Sequence, residues 1–322
     1  HSASLRGAHP PSGGISRVPR PASRVPCPAT SGTVPMVRLL LVTVALALVG
    51  SACGSATPDQ VVFGGDRPTE LAVPSDYRHG TETPLLVALH GYGASGAEFA
   101  EGSGLAALAE AEGALFLAPD GTIDTRENRF WNGSDACCDF AETGIDDVGY
   151  VADLIAEVAA VYTVDPDRVH VVGFSNGAFL THRIACERPD VVASVAAMAG
   201  AVPIDPDACD PTGPVSVLLV HGDEDRVIDY AGGGAFFARA PYPGAVESRE
   251  LWADDLGCGP VEDAGRLDLL EFPGEETAVT THPGCDGDAT VTLWTAEAVN
   301  HRLPFTDDGL ASLWAWLADH AA

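Results

Sequence analysis

Short, continuous apolar runs alternate with helix-forming segments along most of this chain, and this alternation limits the folds open to it. Pro84 to Leu89, Ala114 to Ala118 and Val169 to Gly173 have the length of strands and are almost wholly apolar. Such strands are typical of a parallel sheet that helices cover on both faces. Ile145 to Tyr162 keeps one apolar face at helical spacing. The pattern predicts an α/β fold with a mostly parallel, doubly wound sheet and helices on both faces.

The same reading places the remaining elements and leaves no room for a second domain. No internal repeat is visible, and we expect one domain over residues 67–322. The other predicted elements are an edge strand at Thr69 to Val73, a helical crossover over 96–112, strands at Val191 to Met198, Val215 to Val220 and Thr290 to Trp294, and a last helix at Leu310 to Ala321.

The first 53 residues do not read as part of this fold. Residues 1–35 are rich in Pro, Ser, Gly and Arg and are interpreted as a disordered or non-native extension. Residues 36–53 resemble a bacterial lipoprotein signal peptide, because Met36 and Arg38 precede an apolar run that is too short to span a bilayer. This signal would end at Cys53, the predicted lipidation site. Simple secretion is the alternative, and residues 54–66 are predicted to form a tether.

Charge excludes one class of function. The chain has 17 basic residues, all Arg, against 46 acidic ones. No acidic residue precedes position 54, so residues 54–322 carry a net charge of −34. A field of this sign repels phosphate backbones, so we expect no nucleic-acid partner.

The cysteines predict disulfide bonds. An even number in an exported chain favours three bridges, and no CxxC pair or suitably spaced His suggests a metal site. Cys258 and Cys285 stand at the two ends of one segment between the predicted acid and base, and they are predicted to pair. Adjacent cysteines cannot easily bond each other, so one of Cys137 and Cys138 should pair with Cys186 and the other with Cys209, in an order left open. The six cysteines after Cys53 are Cys137, Cys138, Cys186, Cys209, Cys258 and Cys285.

The segment Gly173 to Gly177 carries the strongest chemical signal. It reads G-x-S-x-G and stands between a buried strand and a helix that continues to about Cys186. Glycines at these positions allow the cramped turn that lifts a Ser hydroxyl above a sheet. Ser175 is therefore the predicted nucleophile.

A Ser nucleophile needs a base and an orienting carboxylate, which should follow it on loops after strands. His301, in the loop after the strand Thr290 to Trp294, has the expected order and setting. Four carboxylates compete for the acid, and their spacing does not choose among them. They are Asp223, Glu224, Asp225 and Asp229.

An ester intermediate also needs donors for its oxyanion. The backbone N–H of Asn176 follows the nucleophile directly and is one predicted donor. The second is expected from the loop after the first buried strand, where we choose the backbone N–H of Tyr92. Trp131 is interpreted as a buried structural aromatic, with substrate contact as the weaker alternative. Leu303 is another weak candidate for substrate contact, and Asp147 is interpreted as a helix N-terminal cap.

These motifs together resemble those of the secreted polyhydroxybutyrate depolymerase / feruloyl esterase family of α/β-hydrolases. The resemblance runs from about residue 67 to 320. It implies an α/β-hydrolase catalytic domain with a Ser–Asp–His triad, and it selects Asp225 as the acid. Where the family often has Gly before the catalytic His and Trp-Pro after it, this chain has Asn300 and Leu303-Pro304. The motifs are Leu89 to Gly93, Trp131 to Gly133, Cys137-Cys138, Asp146 to Gly149, Val164 to Pro166, Gly173 to Ala178 and His221-Gly222.

The predicted function is that of a serine carboxylic ester hydrolase without a cofactor, acting on short esters or hydroxyalkanoate oligomers. A feruloyl or acetylxylan esterase is the first alternative, and a peptidase on the same scaffold is another. A surface-tethered, non-catalytic binding protein is the alternative of a different class. We expect an extracellular monomer that meets the membrane only through a lipid at Cys53.

Overall fold

The computed structural model describes residues 61–203, 209, 211–234 and 240–321. The predicted extension, the signal peptide with Cys53 and the first part of the tether lie outside the described residues. Among the described residues, no helix is long and apolar enough to cross a membrane.

A ten-stranded sheet organises the chain. Its central six strands run parallel in the order β4-β3-β7-β8-β9-β14. Antiparallel strands β2 and β1 extend one edge, and β13 and β12 extend the other. The strands are β1 Val62–Phe63, β2 Thr69–Ala72, β3 Thr83–Leu89, β4 Leu115–Leu117, β5 Thr122–Ile123, β6 Arg129–Phe130, β7 Val164–Phe174, β8 Ser194–Met198, β9 Ser216–Gly222, β10 Gly232–Gly233, β11 Tyr242–Pro243, β12 Glu262–Leu267, β13 Thr277–His282 and β14 Val291–Ala296. β5–β6 and β10–β11 form separate two-stranded ribbons.

Helices cover both faces of the sheet, as β3 shows. Leu85, Val87 and Leu89 pack on the face of α3, α4 and α5, whereas Leu86 and Ala88 pack on the face of α2 and α6. Successive side chains of a strand point to opposite faces, so a strand buried on both sides is apolar throughout. The predicted doubly wound sheet is confirmed. The helices are α1 Gly96–Ser103, α2 Leu105–Ala111, α3 Asp147–Ala159, α4 Asn176–Glu187, α5 Ala245–Asp255 and α6 Asp307–Asp319, with a 3₁₀ turn at Asp286–Asp288.

Two boundaries differ from the predictions for identifiable reasons. The predicted crossover over 96–112 is two helices, because Gly104 adopts a left-handed conformation with φ of 76° and ends α1. The predicted tether is too long at its carboxyl end. Val62–Phe63 pairs with β2, and the Phe63 ring packs into the core at 6.3 Å from the Tyr162 ring.

The parallel strands bring four loops to one edge of the sheet. The loops after the carboxyl ends of β3, β7, β9 and β14 carry Tyr92, Ser175, Asp225 and His301 respectively. The carboxyl ends of parallel strands are where open α/β sheets place their ligand sites.

Candidate active site

Ser175 occupies the sharp turn between β7 and α4. Its backbone has φ of 53° and ψ of −116°, a left-handed conformation that residues with a side chain rarely adopt. Neighbouring atoms lie so close to Gly173 and Gly177 that neither position has room for a side chain. A Cβ at Gly173 would collide with Thr181 and Gly177, and one at Gly177 would collide with the Leu89 carbonyl. The turn thus has the strand–turn–helix setting that the G-x-S-x-G motif predicts.

His301 lies within hydrogen-bond distance of Ser175. Its Nε2 is 3.0 Å from Ser175 Oγ, and its Nδ1 is 2.7 Å from Asp225 Oδ2. An ionised carboxylate only accepts, so Nδ1 carries the proton and Nε2 is left to accept one from the hydroxyl. The Phe174 ring lies 5.0 Å from the imidazole between centroids and supports it from one side.

Asp225 is the carboxylate that the loop after β9 brings to His301. Its Oδ1 accepts hydrogen bonds from the backbone N–H groups of Val227 at 2.8 Å and Ile228 at 3.1 Å. Burial alone would raise the pKa of Asp225, but hydrogen bonds from His221 and His301 outweigh burial and hold this pKa well below its usual range. Asp225 is therefore ionised at any pH near neutrality.

His221, which the sequence analysis noted only as part of the His221-Gly222 motif, also belongs to the site. The structure places its buried ring behind the acid, with Nε2 2.8 Å from the Ile228 carbonyl oxygen and 3.3 Å from Asp225 Oδ2. His221 does not contact Ser175 and instead holds the Asp225 loop. Its position four residues before Asp225, at the end of β9, is the sequence signal for this role.

The loop after β3 passes directly beside the nucleophile. A Cβ added to Gly91 would lie 3.3 Å from Ser175 Cβ. The Tyr92 hydroxyl donates to Asp124 Oδ2 at 2.6 Å and accepts from Asn128 Nδ2 at 3.1 Å. His90 is buried beneath this loop, where its Nε2 accepts from the Gly121 N–H at 2.9 Å. These bonds hold the loop that carries Gly91 and Tyr92 beside Ser175.

Of the two roles predicted for Trp131, the structure agrees with the buried structural aromatic and not with substrate contact. The side chain is fully buried, and its Nε1 donates to the His90 carbonyl oxygen at 3.0 Å. Its backbone forms two hydrogen bonds with the Asn176 side chain. A ring without exposed surface cannot stack on a ligand, so Trp131 supports the loops from below. Leu303, in contrast, does line the cavity above Ser175.

Asp147 also has a different role from the one predicted. The cap of α3 is Asp146, whose side chain accepts from the Gly149 N–H at 2.8 Å. Asp147 is the first helical residue and is buried, with Oδ1 2.5 Å from Arg67 Nη1 and Oδ2 accepting from the Asn132 N–H at 2.7 Å. Burial raises the pKa of Asp147 even though these partners oppose the shift. It ties the loop between β1 and β2 and the Trp131 loop to α3.

The disulfides correct the predicted pairing of the first four cysteines. Cys258–Cys285 forms as predicted, but Cys137 bonds Cys138, and Cys186 bonds Cys209. The reason is where the chain places them. Cys186 and Cys209 share the large core cluster beneath the sheet, whereas Cys137 and Cys138 belong to a separate cluster beside the cavity.

A cavity of about 780 Å³ opens above Ser175 and His301. Two separate apolar clusters supply its walls: the adjacent cysteines and Ile228 belong to one, and the residues around Phe174 belong to the other. Its charged lining residues are Glu98, Glu271 and Arg302. Within the described ranges, no three His, Cys, Asp or Glu side chains lie close enough together to hold a metal ion.

The family comparison agrees with the sequence motifs. Residues 76–232 match the family model described as Esterase PHB depolymerase. This match spans the loop of Tyr92, the nucleophile turn and the acid loop, and it confirms the resemblance inferred from the sequence.

Individual relatives are similar over part of their length. The chain is 36% identical to "Putative esterase NocK" of Nocardia uniformis subsp. tsuyamanensis over 149 residues, which are 46% of this chain and 42% of the relative. It is 29% identical to feruloyl esterase B of Piromyces equi over 58% of this chain and 34% of that protein. The chain thus spans less than half the length of these two relatives.

A solved structure supports the fold. The acetyl xylan esterase from Aspergillus awamori superposes with a TM-score of 0.58 at 17% identity, covering 80% of this chain and 98% of that one. The fold is the α/β-hydrolase fold implied by the sequence resemblance.

Proposed function

Residues 76–232 carry an Esterase PHB depolymerase domain, and from this premise we propose that the protein is a serine carboxylic ester hydrolase. One observation carries the proposal. Ser175, His301 and Asp225 form a hydrogen-bonded line from three separate loops, and the line ends in an apolar cavity. A non-catalytic scaffold has no need to connect these three side chains by hydrogen bonds.

The reaction begins at the Ser175 hydroxyl. Its oxygen attacks the ester carbonyl carbon while His301 Nε2 accepts its proton, giving a tetrahedral oxyanion. Asp225 accepts the Nδ1–H bond and stabilises the imidazolium. The carbon–oxygen bond to the alcohol then breaks as His301 returns the proton to the leaving oxygen. Water, deprotonated by the same imidazole, attacks the acyl-enzyme and releases the acid and Ser175.

The oxyanion needs donors that are in place before the reaction. Asn176 begins α4 directly behind Ser175, where helix N–H groups point towards the site. Tyr92 lies in the loop beside the nucleophile. We assign the backbone N–H groups of Asn176 and Tyr92 to the oxyanion hole.

The cavity favours small apolar acyl groups and short oligomers. Its walls include the adjacent cysteines, Phe99, Phe174 and Phe305, with only a few charged side chains. We propose short esters and hydroxyalkanoate oligomers as substrates. A feruloyl esterase is the second candidate, because one relative is a feruloyl esterase B and the aromatic lining can pack against an aryl acid.

A substrate panel separates these candidates. Hydrolysis of p-nitrophenyl butyrate, a 3-hydroxybutyrate trimer, methyl ferulate and acetylated xylo-oligosaccharides would be followed with the purified protein and its Ser175→Ala variant. We expect the first two to give the highest kcat/KM and Ser175→Ala to be inactive on all four. A preference for methyl ferulate would select the second candidate, and hydrolysis by Ser175→Ala would refute both.

We also propose an extracytoplasmic location with a lipid anchor at Cys53. Three disulfides fit an oxidising compartment, and the segment before Cys53 has the pattern of a lipoprotein signal. Cys53→Ala should move the protein from the membrane fraction to the soluble fraction. Wild-type protein that carries no lipid would contradict the anchor.

A further inference from the structure

Arg302 is the only Arg among the described residues that lines the cavity. It follows the base His301 directly, and its side chain is exposed. Its backbone is held in place, because the Arg302 N–H donates to Asn300 Oδ1 at 3.0 Å. Nothing in the mechanism above uses this guanidinium.

Arg302 lacks the carboxylate partner that seven of the eleven described Arg residues have. Among the described residues, no Asp or Glu oxygen lies within the 4.0 Å ion-pair distance of its guanidinium. Glu98, another lining residue, instead accepts hydrogen bonds from Ser95. In so acidic a chain, a cation with no carboxylate partner in the described part of the chain is available to a ligand at the cavity. The ion-paired residues are Arg67, Arg129, Arg168, Arg183, Arg188, Arg249 and Arg266.

The position of Arg302 determines which part of a substrate it can meet. His301 Nε2 must return its proton to the leaving oxygen, so the leaving group lies beside His301. Arg302 follows His301 in the chain and lines the same cavity. A group bound by Arg302 therefore belongs to the alcohol half of the ester and carries negative charge, because guanidinium binds carboxylates in a forked geometry.

We propose that Arg302 is a specificity-determining residue that binds the free carboxylate of a hydroxy-acid leaving group. When an oligomer of a hydroxy acid is cut at its last ester, the leaving alcohol is itself a hydroxy acid. In a 3-hydroxy acid the carboxylate carbon is three bonds from the leaving oxygen. The protein would thus select the carboxyl end of such oligomers. This inference rests on the proposed ester hydrolase function and names its substrate end.

Two substrates, one with and one without this charge, test the proposal. The 3-hydroxybutyrate trimer would be used as the free acid and as its methyl ester, and kcat and KM would be measured from the release of 3-hydroxybutyrate and of methyl 3-hydroxybutyrate respectively. The variants are Arg302→Gln and, as a control of equal net charge, Arg78→Gln. Arg78 is an exposed residue that bonds the carbonyl oxygens of Asp76 and Tyr77.

Relative to Arg78→Gln, we expect Arg302→Gln to lower kcat/KM for the free acid about tenfold, mainly through KM. Its kcat/KM for the methyl ester should change less than twofold. An equal loss on both substrates, or no selective loss, would overturn the assignment of Arg302. Hydrolysis of p-nitrophenyl butyrate that disappears in Ser175→Ala would still uphold the ester hydrolase function, so the two failures are distinguishable.

Discussion

Asn176 and Trp131 exchange two hydrogen bonds: Asn176 Oδ1 accepts from the Trp131 N–H at 2.7 Å, and Asn176 Nδ2 donates to the Trp131 carbonyl oxygen at 2.8 Å. Both residues are fully buried. The residue after the nucleophile is thereby fixed to the loop that carries the adjacent cysteines. The Asn176 N–H, the proposed oxyanion donor, is thus held in place by the bonds of the Asn176 side chain to the buried Trp131 backbone.

Asn176→Ala should lower both stability and turnover. It leaves the buried Trp131 N–H without a partner, at a cost of about 1–3 kcal/mol, and leaves the Trp131 carbonyl only its 3.4 Å bond from the Cys138 N–H. We expect kcat for p-nitrophenyl butyrate to fall about tenfold or more, because an oxyanion donor is displaced. The matched control is Asn132→Ala, whose Nδ2 donates to the Ile145 carbonyl oxygen and not to the nucleophile turn. A turnover number for Asn176→Ala within twofold of the control would contradict this role.

The free energy of unfolding should fall as the pH drops below about 6.5. Histidines that are buried and neutral in the folded chain bind a proton when the chain unfolds, so low pH favours the unfolded state. Burial lowers the pKa of His170 to about 4. Its Nδ1–H donates to Ser194 Oγ, and Nε2 has no hydrogen-bond partner within the described residues. The unfolded chain binds the proton first, so the stability from His170 is fully present above pH 6.5 and is lost towards pH 4. The loss amounts to roughly 2–3 kcal/mol.

Urea unfolding between pH 7.5 and 4 measures this slope. His170→Gln should flatten it, whereas the control His79→Gln, at an exposed position, should leave it unchanged. An unaltered slope in His170→Gln would show that another group controls acid unfolding. His182, whose pKa burial lowers to about 3, should contribute with the same sign.

The disulfide pairing can be read by mapping peptides without reduction. We expect Cys137 and Cys138 to occur in one peptide that is linked to no other, and Cys186 to be linked to Cys209. Replacing both members of the latter pair with Ser should cost roughly 3 kcal/mol, because the bond spans 23 residues. A link from Cys137 or Cys138 to Cys186 would restore the pairing first inferred from the sequence.

The sequence predicted the elements that repeat a simple physical pattern. Strands such as β3 and β7 are recognisable because burial on both faces leaves almost no polar position. The turn at Ser175 is recognisable because only glycine tolerates the close approach of neighbouring backbone. Strand β12, in contrast, has no apolar pattern, since most of its residues are exposed, and the sequence gives no signal for it.

The predictions that were wrong or left open concern contacts between distant segments. Trp131 is apolar and aromatic whether it lines a cavity or lies beneath one, and only its bonds to His90 and Asn176 distinguish the two cases. The pairing of Cys186 with Cys209 likewise depends on which core cluster receives each residue. The four carboxylates after β9 were indistinguishable by spacing, whereas in the structure Asp225 lies 2.7 Å from His301.

Asp225→Asn should leave the fold intact and remove most of the turnover. The amide can still accept backbone hydrogen bonds, but it no longer provides the negative charge that stabilises the His301 imidazolium. We expect kcat to fall by roughly 10³–10⁴-fold, and Asp229→Asn to serve as a control with nearly normal kcat. Equal losses of kcat in Asp225→Asn and Asp229→Asn would contradict the assignment of Asp225 as the acid of the triad.

Covalent trapping of the nucleophile is the most direct test of the proposed chemistry. The purified protein would be treated with a p-nitrophenyl alkylphosphonate, which phosphonylates an activated Ser and releases p-nitrophenol, and the adduct would be located by mass spectrometry. We predict one adduct per chain, on the peptide that contains Ser175, with parallel loss of ester hydrolysis and no labelling of Ser175→Ala. Labelling at another residue, or ester hydrolysis that persists in Ser175→Ala, would contradict a Ser175 acyl-enzyme.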